Sequence, residues 1–199
     1  FVQAQLAGDE LWPDDPQRAR VAPALLRHGI YEYNNRDARG QWQTILNEIT
    51  DLTGDVFLGL GIQCARCHDH KFDPLLQKDY YRLQSFFAAM EFRQDLVVAT
   101  SEEERAYHQQ LAVWENATAE LRADLAKLEN PYRERAKAEA TAKFPPDIQS
   151  MLQDMSAPRS PADGVVARLA YRQISYEYDR LASKFKPSDK IEMERIQRL

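Results

Sequence analysis

The chain has 199 residues, 44% hydrophobic and 29% charged, which supplies a buried core and excludes disordered and low-complexity classes. Its 31 acidic against 26 basic residues leave a net charge of −5, so no general field draws a phosphate backbone and nucleic acid is not an expected partner. The strongest apolar run, Val56 to Leu60, is too short to cross a membrane.

With Phe1 first and no leader pattern, the sequence is expected to be a segment of a longer protein. Phe1 to Leu11 reads as a short amphipathic helix ended by Trp12-Pro13. Asp15 then caps a second helix, with Pro16 at its first position, a kink expected at Pro23, and Gly29 as its stop. Tyr31 to Gly40 reads as an exposed loop. From Gln41 to Leu60, Trp42, Ile45, Leu46, Ile49, Leu52, Val56 and Leu60 recur at helical spacing and predict one helix of about five turns. A further helix, capped by Asp79, carries Tyr80, Tyr81, Leu83, Phe86, Phe87 and Met90, enough aromatic surface to be buried on more than one side.

The second half alternates charge signs. Leu111, Trp114, Thr118, Leu121, Leu125 and Leu128 form one heptad stripe; Ala167, Tyr171, Ile174, Tyr178, Leu181 and Phe185 form another. Pro131, Pro145-Pro146, Pro158 and Pro161 punctuate the stretch between them, and Lys186 to Asp189 breaks the second helix. The expected architecture is all-α: a compact helical domain over 1–99, an antiparallel helical hairpin or coiled-coil arm over 100–186, and the start of a truncated element over 187–199.

The chemistry concentrates in Cys64-Ala65-Arg66-Cys67-His68, which has the C-x-x-C-H spacing of covalent haem attachment. Two thiols one turn apart can each form a thioether to a haem vinyl group, and the next residue, His68, can turn its imidazole to the iron. Two other chemistries suit the same residues: a zinc site using Cys64, Cys67 and His70 with another donor, or a redox dithiol. His68, His70 and Asp73 are the further candidate metal ligands. Gly59 and Gly61 strip side chains from the approach to the motif.

The run TDLTGDVFLGLGIQCARCHDHKFDPLLQKDYYRLQSFF resembles the planctomycete cytochrome-c-like domain, found in large secreted multidomain proteins. The resemblance covers roughly Phe1 to Phe92, is strongest from Asp51 to Phe87, and extends more weakly to FVQAQLAGDELWPDDP. It implies Cys64 and Cys67 as attachment points for haem c, His68 as axial ligand, and Asp69, His70, Lys71, Phe72, Asp73 and Pro74 as the surrounding signature. It also implies a cytochrome-like helical fold and an electron-transfer module in an extracytoplasmic protein, its partners a redox protein or other domains of the parent chain. For the second axial position the expected ligand is Met90 ahead of His28, with an open position as the third possibility. Pro74 is the expected backbone acceptor for the proximal imidazole.

Overall fold

Caps and breakers along the chain dictate where its helices begin and end. The computed structural model describes residues 1–29, 32, 35–92 and 97–198, and these form helices and turns with no strand among them, an all-α fold. Contacts divide the chain into unit 1, Phe1–Val98 with Ala157–Leu169, and unit 2, Ala99–Ser156 with Ala170–Leu199.

In unit 1, helix α1 (Val2–Leu11) packs on a 3₁₀ helix (Ala22–Arg27). Between them α2 (Pro16–Val21) opens under its Asp15 cap, whose carboxylate accepts from the Arg18 backbone N–H at 3.0 Å. The kink expected at Pro23 takes the form of a change of helix type at Ala22, since proline has no N–H to continue the α ladder. The loop expected to reach Gly40 ends instead at Asp37, which caps α3 (Ala38–Thr53) by accepting from Gly40 N at 2.8 Å. Tyr31, Tyr33 and Asn34 of that loop lie outside the described residues.

Helix α3 buries Trp42, Ile45, Leu46 and Ile49 as their spacing requires. It does not run unbroken to Leu60. At Gly54 the ladder widens into a single π turn (Gly54–Leu58), which rotates the following side chains off the core face and leaves Val56 60% and Leu60 37% exposed. Gly59, at φ 65°, closes the turn in the left-handed region that favours glycine.

Helix α4 (Gln77–Phe87) is capped differently from the expectation. Asp79 is its third residue, and its carboxylate reaches back to accept from Leu76 N at 3.1 Å. Only the face of Tyr80, Gln84 and Phe87 is buried; Tyr81 and Phe86 are exposed, which corrects the expectation of burial on several sides. Unit 1 also takes in Ala157–Leu169, where Asp163 pairs with Arg39 at 3.2 Å and Arg168 with Glu91 at 3.3 Å.

The remaining helices are α5 (Ser101–Ala117), α6 (Ala119–Thr141), α7 (Pro146–Gln153), α8 (Pro161–Asp179) and α9 (Pro187–Gln197). The stripe from Leu111 to Leu128 buries none of its six residues fully. It is interrupted at Thr118, whose hydroxyl donates to the Trp114 carbonyl at 2.8 Å while its backbone leaves the helical region. Pro131 sits inside α6 rather than ending it, on an exposed face where water can take the freed carbonyl. Of the second stripe, Ala167, Ile174 and Leu181 are buried, Tyr178 and Phe185 are half-buried, and Tyr171 alone departs. Val165, Val166, Leu169, Ala170, Gln173 and Ile174 are buried and Tyr171 is exposed, because α8 presents one broad face with 3.6-residue period.

The second helix also breaks earlier than expected. Helix α8 ends at Asp179, a 3₁₀ turn follows (Leu181–Lys184), and Pro187 opens α9 in place of a break at Lys186 to Asp189. Within unit 2, α6 packs on that 3₁₀ turn and on α9. The Tyr132 ring lies 4.5 Å from Phe185, and its hydroxyl donates to Asp189 at 2.5 Å.

Candidate functional site

The cysteine motif folds as a 3₁₀ helix (Ile62–Arg66) followed by a turn at Cys67. A 3₁₀ helix has three residues per turn, so positions three apart eclipse one another. Ile62 and Ala65 therefore share one face, and both are buried against Tyr80 with Leu75 and Leu83 around them. Cys64 and Cys67 share another, and both are exposed free thiols. The two x positions of C-x-x-C thus divide the labour: Ala65, with no exposed surface, anchors the turn, and Arg66 fastens it from the side.

Arg66 is held at both ends. Its carbonyl accepts from the Tyr81 hydroxyl at 3.1 Å and from Gln77 Nε2 at 3.2 Å, and its guanidinium lies 3.6 Å from Asp51 Oδ2 on α3. Burial disfavours the guanidinium charge, but Asp51, then Tyr80 and Cys67, outweigh it and raise the Arg66 pKa. Burial, and after it Asp51, push the Tyr80 phenol well above its ordinary value, with Arg66 opposing. The Tyr80 hydroxyl and Asp51 Oδ1 are both buried without a hydrogen bond of good geometry among the described residues. Sequence reasoning missed Asp51, Gln77 and Tyr80 as supports of the motif; each lies on a helix outside it, and no local spacing links them to Arg66.

His68 is exposed, and its Nδ1 lies 2.7 Å from the Asp69 carbonyl oxygen. A carbonyl only accepts, so Nδ1 carries the proton and Nε2 keeps its lone pair for a ligand. The expected acceptor was the Pro74 backbone; the Asp69 carbonyl, on the next residue along the chain, takes that part. The rest of the signature holds the loop shut. Asp69 Oδ1 accepts from Gln77 N at 2.8 Å at the start of α4, and the His70 backbone N–H donates to the Leu75 carbonyl at 2.8 Å. His70 Nδ1 accepts from the Asp73 backbone N–H at 2.9 Å.

The zinc arrangement is not assembled. His70 and Asp73 are brought together, with Nδ1 3.2 Å from Asp73 Oδ2, yet His70 has already committed that nitrogen to the loop. Among the described residues no three His, Cys, Asp or Glu side chains form a group able to hold a metal ion. The motif is held against α4 through Gln77 and Tyr81, whereas Met90 follows its C-terminal end, and from Tyr81 to Phe87 the helix rises about 9 Å.

Exposed apolar side chains flank the motif in sequence. Val56, Leu58 and Leu60 precede the motif and Phe72 follows it at 84% exposure. A side chain at Gly59 or Gly61 would meet nothing. Residues 1–92 match the model of a family described as PSCyt2, protein of unknown function (DUF1549). No curated protein and no solved structure matches the chain.

Proposed function

We propose that unit 1 carries a covalently attached c-type haem and serves as an electron-transfer module of a larger extracytoplasmic protein, its partners a redox protein or other domains of the parent chain. The observation that carries this reading is the threefold register of the Ile62–Arg66 turn, which sets Cys64 and Cys67 on one outward edge immediately before a histidine with a free Nε2. The residues present fit the group: Cys64 and Cys67 would hold it, and His68 Nε2 would ligate its iron. Val56, Leu58, Leu60 and Phe72 supply the apolar surface that a macrocycle would cover.

When bound, the haem supplies a one-electron couple. The chain's own part is positional. Ala65 and Ile62 seat the turn on Tyr80, Arg66 is clamped from α3 and α4, and the Asp69 carbonyl fixes the imidazole tautomer. Attachment of haem to such motifs takes place outside the cytoplasm, and the proposed location follows from that chemistry.

Expression in a host with haem-maturation machinery tests the reading. The expected product has a haem-sized mass increment and a reduced α-band that survive denaturing extraction, and both vanish in a Cys64→Ala, Cys67→Ala double variant. Protein that stays colourless under these conditions overturns the proposal. Because Met90 lies past the far end of α4, Met90→Ala is expected to leave the ferric spectrum unchanged. Loss of a near-infrared methionine band in that variant would return Met90 to the iron.

A further inference from the structure

Helix α5 opens under its Thr100 cap, yet among the described residues it buries none of its side chains. Its apolar members keep a heptad spacing: Tyr107, Leu111 and Trp114 fall on one line, which continues through Thr118 to Leu121, Leu125 and Leu128 on α6. The α6 part of that line has a neighbour. Helix α9 packs on α6 and runs antiparallel to it, since Asp189 near its start meets Tyr132, while Glu192 and Arg195 lie within electrostatic reach of Asp124 two turns earlier. The α5 part has no such cover among the described residues, and Tyr107 is 61% and Trp114 53% exposed. Both aromatic rings are nevertheless held. Tyr107 meets His108 edge-on at 5.5 Å; the Arg122 guanidinium lies 5.1 Å from the Trp114 ring centre and 3.6 Å from Glu115.

We propose that α5 is a dimerisation helix, packing antiparallel on the α5 of a second copy of this chain about a two-fold axis between Leu111 and Trp114. A two-fold contact must be self-complementary, and this register is. Leu111 faces the partner's Trp114 and Trp114 the partner's Leu111, with Tyr107 against the partner's Thr118 at each end. His108 and Glu115 each directly follow an aromatic residue of the line, and the antiparallel register sets each His108 beside the partner's Glu115. An imidazole N–H donates to a carboxylate whether or not the ring is protonated. Both groups have capacity for this contact: Glu115 accepts through two oxygens, and Glu104 stands 3.9 Å from His108, beyond hydrogen-bond range. A parallel pair would instead lay the acidic turns Glu102 to Glu104 of both copies side by side. Trp and Tyr are among the side chains that dominate interface energetics, and rings already held in place lose little freedom on association. The acidic turn and the net charge of −5 oppose an anionic membrane as the occupant. Helix α5 belongs to unit 2, so the contact forms whether or not haem is attached to unit 1.

Sedimentation equilibrium of the full chain tests it. A reversible monomer–dimer equilibrium in the micromolar range is expected, because Tyr107, Leu111 and Trp114 of each copy make a small interface. Trp114→Asp, at an exposed position, is expected to weaken dimerisation about tenfold or more with unchanged circular dichroism. His108→Glu, which sets carboxylate against carboxylate, should weaken it likewise, and adding Glu115→Lys should restore it. Spin labels in the Cys64→Ala, Cys67→Ala background read the direction of pairing. Labels on Val113→Cys are expected to lie nearly level across the axis, and labels on Arg105→Cys about 20 Å further apart along it. A chain still monomeric at ~300 µM overturns the proposal, as do Trp114→Asp dimers as tight as the parent's. Failure of Glu115→Lys to restore pairing, or equal label separations at the two positions, overturns it as well. The labels sit on the exposed helix and alter no core residue, so this readout does not depend on how the Trp114 variant folds.

Discussion

Tyr80 concentrates the residue-scale physics of the cysteine turn. Its ring is fully buried under Ile62 and Ala65, and its phenol is held above the ordinary value of 10.0 by burial and by Asp51. A phenol whose folded pKa is raised keeps its proton in the folded chain after the unfolded chain has lost it. Its contribution is therefore complete below pH 10.0 and declines as pH rises beyond it. Tyr80→Phe is expected to change stability at neutral pH by no more than about 1 kcal/mol, since the hydroxyl makes no well-formed hydrogen bond. The same variant should flatten the fall of the urea midpoint as pH rises above about 10. A variant whose alkaline limb matched that of the parent would show that another group controls it. At this scale the sequence was informative about the residues proposed to meet a cofactor, since Cys64, Cys67 and His68 stand in a fixed local spacing. It was silent about Asp51 and Tyr80, whose relation to Arg66 exists only once α3 and α4 are packed.

At the scale of elements, helix type rather than helix position separates expectation from structure. Apolar spacing located α3, yet a π turn and a 3₁₀ turn follow it, and these rotate side chains by amounts that a 3.6-residue reading does not contain. Val56 and Leu60 were consequently read as continuing the apolar face of one helix and are found exposed ahead of the motif. The same error of period set Tyr171 on the buried face of α8, where Ala170 and Gln173 belong. Thr118 illustrates a second cause, a hydroxyl that bonds the preceding turn and spoils an otherwise regular heptad. The packing of α6 on α9 depends on Tyr132, whose hydroxyl donates to Asp189 and accepts from Lys186 N at 3.2 Å. Tyr132, and then Ser188, hold the Asp189 carboxyl below its ordinary value of 3.8, so this contribution is present above that pH and is lost as pH falls through the lower folded value. Tyr132→Phe is expected to lower the melting temperature at pH 7 and to make the acid limb of the stability profile shallower, as followed by circular dichroism. An unchanged acid limb would remove Asp189 from that account.

At the scale of the whole molecule, unit 1 is discontinuous in sequence. The family match ends at residue 92, but the unit includes Ala157–Leu169, with Val165, Val166 and Leu169 buried and two ion pairs reaching Arg39 and Glu91. Fully burying a valine or leucine is worth about 1.5–3 kcal/mol, whereas exposed ion pairs add little, so the apolar residues of that stretch carry its weight. Residues 1–98 alone are expected to melt below the same residues joined through a flexible linker to 157–169, and Val165→Asp in the attached stretch should abolish the gain. Equal melting of all three would show that 1–98 is complete without it. This discontinuity also sets a timetable for the growing polypeptide. A chain emerging from the ribosome can build α1 to α4 early, but everything from Ala99 to Ser156 must be made before the last piece of unit 1 arrives. Until then unit 1 lacks Ala157–Leu169 and its ion pairs to Arg39 and Glu91, and a nascent chain stalled before Ala157 should be cut by protease at sites that a chain released beyond Leu169 protects.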